Sequence, residues 1–342
     1  MTTDPTPPFS PFDEPSRPRL HDPGDLIAAV PHLMGYYPTD AVVINVVVDA
    51  TIQVTMCSKL PVNAQSQHPI EQLTAMVARY PGAAVAGIVV GDGTPTGDTL
   101  PRKELVTQIR TVLAEHGVPS EMFWTAAITA GARWHDYDDP CHTGVVSDPN
   151  SSVLAVTAAV QGLHAFDSRE DLAALLRPDP QDALARRAAL IEQLPERPAG
   201  ASYRLVLDQV ARTVERSEAL SDPDIAALAV ALSDYMVRDA CISTSAGDHA
   251  RAAEQLWTEL TRQCPAPHRA EPAALLAMSA YLRGNGVLAS LALDRAQTAF
   301  PGHRLSGLLR TALDRSIHSD ALLPLVRQAT EQAERMVSDQ SE

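Results

Sequence analysis

Aromatic residues are scarce in this chain, with Phe, Trp and Tyr together making up 4% of 342 residues. Its cores must therefore be built from Ala, Val and Leu, which suits close-packed helices and buried strands better than an aromatic-rich sandwich. Basic charge is also short: 27 Lys and Arg stand against 42 Asp and Glu, a formal net charge of −15. A general phosphate-backbone binder needs a basic footprint, so this balance argues against nucleic acid as the partner, while leaving room for a local basic patch. Cysteine is limited to Cys57, Cys141, Cys241 and Cys264, with no CxxC pair among them, which fits a reduced, intracellular protein. No run approaches the ~18 apolar residues that span a bilayer. Met1–Ser16 is rich in Pro, Asp and Thr and lacks the apolar centre of a secretory signal. The expectation is a cytoplasmic protein with no membrane partner. Also missing are a GxGxxG fingerprint, a Walker lysine–serine pair and a GxSxG nucleophile elbow, so no familiar catalytic motif announces an activity.

What is present divides the chain in two. Residues 1–18 are Pro-rich without hydrophobic periodicity and read as a disordered leader. Asp22-Pro23 then has the form of an acidic cap with proline at the first helical position, and Gly35 has the form of a stop. Pro31 lies inside that helix and is expected to kink or shorten it. Ala41–Val48 is a nearly continuous β-branched run, as in a strand buried on both faces. Asp49-Ala50 follows as a turn, and Ile52, Val54 and Met56 alternate with polar residues in a second strand of a hairpin. A helix over about 69–79, a strand over 83–90, a helix over 101–116 and a strand over 122–129 come next, with 131–137 pairing back. This alternation predicts an α/β layer with a mixed sheet over residues 19–166.

Beyond Ser151 the pattern turns helical, predicting an all-α region over 167–338 and a tail at 339–342. Ser168 with Asp171 has the form of a capping box. Asp179-Pro180 and Asp222-Pro223 repeat the acidic-cap-then-proline start, the second opening one long helix from Ile225 to about Cys241. Glu271–Pro301 reads as a tetratricopeptide-like helix hairpin: Leu276, Ala277 and Ala280 on one helix, a Gly284-Asn285-Gly286 turn, then Ala289, Leu293 and Ala296 on the next. One unit matches that pattern, whereas roughly three are needed for a free-standing solenoid, so the reading is a small helical domain with repeat-like hairpins.

Several of these segments also carry a resemblance. Leu20 through Asp40, Arg133-Trp134, Asp138-Asp139-Pro140, Val237-Arg238-Asp239-Ala240, Gly284-Asn285-Gly286, Ala292–Ala296 and Pro301–Leu305 occur in the order seen in an actinobacterial family called domain of unknown function 4192. The resemblance spans roughly 19–315. It implies shared architecture and an actinobacterial source, and it brings no activity. Members often carry extra cysteines around the Asp-Asp-Pro turn, of which this chain keeps only Cys141.

Among polar clusters the densest is Arg133 through His142. His135, Asp136, Cys141 and His142 are competent zinc donors, but residues that alternate along a strand end cannot all point one way, and no partner pair stands at zinc-finger spacing. A solvated hairpin tip without metal is the better reading. Gly91-Asp92-Gly93 follows a buried strand, where open α/β sheets bind ligands, although it is also an ordinary turn. Tyr36, Asp40, Asp92 and Arg133 are therefore the candidate ligand-binding residues, with no cofactor implied. His164, His268 and His303 have no acidic partner visible in the sequence. Arg238-Asp239 interrupts an apolar helix either as a partly buried ion pair or as a partner-binding hot spot. These observations favour a non-enzymatic interaction or regulatory module with a protein partner on its repeat-like helices. The rival is a small-ligand binder or enzyme using Asp40, Asp92 and Arg133.

Overall fold

Asp22 opens the first described element of the computed structural model, which describes residues 22–60, 73–74, 76–91, 93–96, 99–152, 155–156, 165–195, 197–216 and 218–338. The leader expected at 1–18, part of the helix expected at 69–79, Asp92, His164 and the tail at 339–342 lie outside these residues. Helix α1 (Pro23–Met34) begins as anticipated, with the Asp22 carboxylate accepting the Asp25 N–H and proline in the first turn. Pro31 neither shortens nor ends it: the helix runs on to Met34, and Gly35, at φ 79°, returns its N–H to the Pro31 carbonyl.

The strands follow the hydrophobic pattern. β1 (Ala41–Val48) and β2 (Thr51–Lys59) form a hairpin whose turn residues Asp49 and Ala50 both take positive φ, 47° and 57°, matching the twist of the flanking strands. β3 (Ala84–Val90) lies on the other side of β1, antiparallel to it. Helix α2 (Lys103–Glu115) then carries the chain over to β4 (Ser120–Thr125), which runs parallel to β3. β5 (Arg133–Asp136) and β6 (Thr143–Val145) pair back antiparallel. Among the described residues the sheet is six-stranded and mixed, in the order β2-β1-β3-β4-β5-β6.

Alternation along each strand sorts the side chains onto two faces. Val42, Ile44, Val89, Met122 and Trp124 meet Leu105, Val106, Ile109 and Leu113 of α2. Val43, Ile88 and Phe123 face the other way, onto Ile27, Val30 and Met34 of α1, and that cluster continues without a break into the helical region.

The helical region holds α3 (Arg169–Ala174), α4 (Gln181–Gln193), α5 (Ala199–Thr213), α6 (Asp222–Ser233), α7 (Tyr235–Cys241) and α8 (Ala250–Gln263). It closes with α9 (Ala270–Leu282), α10 (Gly286–Ala299), α11 (Arg304–Asp314) and α12 (Leu323–Ser338). The capping box at Ser168 forms as anticipated, its hydroxyl accepting the Asp171 N–H at 3.0 Å. Two expectations fail. The single helix expected from Ile225 to Cys241 is broken at Asp234, whose carboxylate accepts the Met236 N–H and starts α7 afresh. Asp179 does not cap α4: Pro180 takes that position, and the Asp179 carboxylate accepts instead from Arg187 at 2.9 Å. The α9–α10 hairpin forms where expected, with Gly284 at φ 82° and the Asn285 side chain capping α10 through the Leu288 N–H. α9 is apolar nearly all round and lies at the centre of its layer, with Ala273, Ala274, Leu276 and Ala280 at 0% exposure.

Candidate functional site

Between the outer strand β2 and the helical region lies a cleft of about 1150 Å³. One wall is β2 itself, including Gln53, Thr55 and Cys57, whose outer edge has no strand neighbour among the described residues. The opposite wall comes from α8 through Glu254, Gln255 and Thr258, and from the α9–α10 turn through Arg283, Asn285 and Val287. Arg310 and Asp314 of α11 close one end. Two of its arginines are already neutralised, Arg283 by Glu254 and Arg310 by Asp294.

Tyr36 forms part of the floor. Its backbone is clamped to the start of the helical region, since the Tyr37 N–H donates to the Phe166 carbonyl and the Phe166 N–H donates to the Gly35 carbonyl, both at 2.9 Å. Its hydroxyl acts electrostatically on the Cys57 thiol at the cleft floor. Burial, followed by the neighbouring Cys57, holds the Tyr36 hydroxyl well above its ordinary range. The Cys57 thiol is likewise raised by burial, against the lowering influence of Tyr36, so it is a protonated group at neutral pH. Arg169 also borders this floor, and no ion pair of its own is formed among the described residues.

Asp40 and Arg133 lie elsewhere, at the end of the sheet where β3 and β4 finish. Asp40 precedes β1, takes a positive φ of 46° and accepts the Leu60 N–H on its carbonyl. Arg133 is exposed at the first position of β5, where its carbonyl accepts the Thr125 hydroxyl at 3.1 Å. β3 and β4 stand between their strands, three strand spacings or roughly 14 Å. Neither residue lines the cleft that holds Tyr36. Gly91 explains part of this corner: at φ 78°, it would place a Cβ 2.7 Å from the Asp40 Oδ1, so the carboxylate occupies the space that the glycine leaves. Asp92, the fourth sequence-named residue, lies outside the described residues.

The segment from His135 to His142 is the β5–β6 hairpin and its tip. His142 bonds Asp136 through Nδ1 at 2.9 Å and sets its ring edge-on to Trp134, with centroids 5.0 Å apart. His135 instead lies against Trp124 at 5.8 Å, and Cys141 is exposed. These four donors do not converge, and no group of three His, Cys, Asp or Glu able to hold a metal occurs among the described residues.

One charge cluster was hidden from sequence reasoning, and of a second only the partly buried Arg238–Asp239 pair was legible. Arg187, 7% exposed, joins Asp222, Asp179 and the Gln263 carbonyl. Arg238 pairs with its neighbour Asp239 and also with Glu271 at 3.0 Å, and His303 reaches the same Glu271 oxygen at 2.9 Å. His303 Nδ1 accepts the Ser306 N–H, so Nε2 carries the proton donated to Glu271. Burial alone would raise the Glu271 carboxyl; the hydrogen bonds and charges of His303 and Arg238 outweigh it and hold the group below its ordinary range. The signal for such clusters is a charged residue inside an apolar helical stripe, and the sequence identifies the residue without its distant partners.

Segments that carry the family-like motifs meet in pairs. A Cβ on Gly24 would come within 2.3 Å of the Val145 carbonyl and 3.2 Å of the Trp134 indole nitrogen. One on Gly35 would lie 3.4 Å from the Asn285 amide. Among known families, the profile described as a domain of unknown function (DUF4192) matches residues 23–319. No curated protein and no solved structure matches the chain.

Proposed function

The chain belongs to the DUF4192 family, whose description names no activity, and from that premise we propose a non-enzymatic binding module that takes an extended segment of a protein partner into the cleft. The observation that carries this reading is the position of β2, whose outer edge borders the cleft without a strand neighbour among the described residues. An unpaired edge presents a row of backbone N–H and C=O groups to an incoming strand, and side-chain pockets beside it supply selectivity. The α9–α10 hairpin serves as the repeat-like unit that forms the facing wall, and Tyr36 lies on the floor. The reading also assigns a cytoplasmic location, supported by four thiols that form no disulfide. The rival small-ligand site at Asp40 and Arg133 has less support, because the Asp40 carboxylate already accounts for the glycine at 91.

Photo-crosslinking residues introduced at Gln53 on β2 and at Gln255 on α8 test the proposal directly. Both positions should capture the same partner in cells of the native host, and Gln255→Trp, which narrows the cleft from an exposed position, should abolish that capture. Equal capture from a control position at Glu115, or capture undiminished by Gln255→Trp, refutes it.

A further inference from the structure

At the far end of the α9–α10 hairpin from its turn, Arg269 stands just before α9 with its guanidinium Nε and Nη2 buried and without a hydrogen-bond partner. Those two nitrogens carry the parallel N–H pair with which an arginine grips a carboxylate or phosphate side-on. Arginine does not shed its charge in proteins, so leaving this fork empty carries a desolvation cost with no return. Arg295 of α10 lies alongside. Ala270 and Ala273 pack against Ala296 and Ala299, which brings the two arginines to the same end of the hairpin. Arg295 forms no ion pair among the described residues, and its charge, after burial, holds the Arg269 guanidinium below its ordinary range. The acid nearest to hand is Asp179, and it is already engaged by Arg187 at 2.9 Å and Arg262 at 3.6 Å. The result is a concentration of positive charge that Asp179 only partly offsets, in a chain whose net charge is −15.

We infer that Arg269 and Arg295 form an oxyanion site, with Arg269 holding two oxygens of a phosphate or carboxylate group through its buried fork and Arg295 contributing the second charge. The site is independent of the cleft and stands or falls apart from it. The neighbouring Cys264 thiol is fully buried and its pKa is held up to about 12 by that burial, so it stays protonated and the role assigned is binding.

Isothermal titration calorimetry with inorganic phosphate, and in parallel with acetate, both at matched ionic strength in chloride, separates the two oxyanion sources. Phosphate or acetate should bind the wild-type protein with one site per chain and raise its melting temperature. Arg269→Lys, which keeps the charge and loses the fork, should weaken binding at least about tenfold. Arg269→Met should go further, abolishing the response to phosphate while melting higher than the wild type in chloride alone, because an unpaired buried charge has been removed. Arg295→Gln keeps a polar side chain of similar reach at a half-buried helix position and so perturbs folding least; it should also weaken binding. Absence of oxyanion binding by the wild type, or equal binding by Arg269→Lys and Arg295→Gln, overturns the inference. So does Arg269→Met melting lower than the wild type in chloride, since that places the guanidinium in a role internal to the fold.

Discussion

Replacing Ala289 by leucine tests the close packing on which the helical half depends. Ala289 is fully buried on α10, in the core cluster that also takes Ala277 and Ala280 of α9, buried at 1% and 0% exposure. Among the described residues no helix pair packs more extensively than α9 with α10. Leucine adds three carbons. Buried in free space they would contribute about 2.4 kcal/mol, at ~0.8 kcal/mol per methylene. There is no such space where alanines face alanines, so the added carbons must push the helices apart or adopt poor rotamers. Overpacking of this kind costs about 1–3 kcal/mol net. In a chain of this size that lowers the melting temperature by roughly 1.5–4 °C. Differential scanning calorimetry on Ala289→Leu, with Ala299→Leu as a companion at the half-buried end of the same helix, measures it. A melting temperature unchanged or raised in Ala289→Leu would mean that the crossing holds unfilled room, and the packing argument would be wrong.

Other substitutions probe the remaining parts of the structure. Arg187→Met should cost about 3–5 kcal/mol in urea unfolding, because Asp179 and Asp222 lose the buried cation between them. Gly91→Ala combines a left-handed backbone with a 2.7 Å approach to the Asp40 Oδ1 and should cost about 2 kcal/mol; pairing it with Asp40→Gly should recover part of the loss in a double-mutant cycle. The Glu271 carboxyl is held below its ordinary 4.5 in the folded state. It therefore contributes stability above that value which is lost as pH falls through its lower folded pKa. Glu271→Gln should flatten the acid limb of the stability curve below about pH 4.5, and an acid limb identical in both proteins would remove Glu271 from the account.

Elements whose causes lie within a few residues were legible in the amino-acid sequence itself. Asp22-Pro23 with Gly35, the Ser168–Asp171 box, the Asp49-Ala50 turn and the Gly284-Asn285 stop each act through side chains and φ angles three or four positions apart. The β-branched run at 41–48 and the two-residue alternation that follows define a sheet hairpin for the same reason: burial on a strand repeats every second residue. The mixed α/β layer and the helical half were legible from these periods. Partnership across the chain was not. Asp179 looks like a cap in a local window, and only the packing of α4 against α6 and the end of α8 brings it Arg187 and Arg262 to satisfy first. Glu271, His303 and Arg238 are separated by 32 and 33 positions, and Tyr36 meets Cys57 across a turn and two strands. The cleft itself has no sequence signature, because it is the space left where an unpaired strand edge faces helices from another part of the chain. Asp40 and Arg133 could be assigned to one end of the sheet by counting strands, but the two intervening strands that hold them roughly 14 Å apart come from the order β1-β3-β4-β5. Local hydrogen bonding and side-chain period decided the elements; which surfaces and charges meet was decided only when one buried cluster closed over α1, the sheet and α9 together.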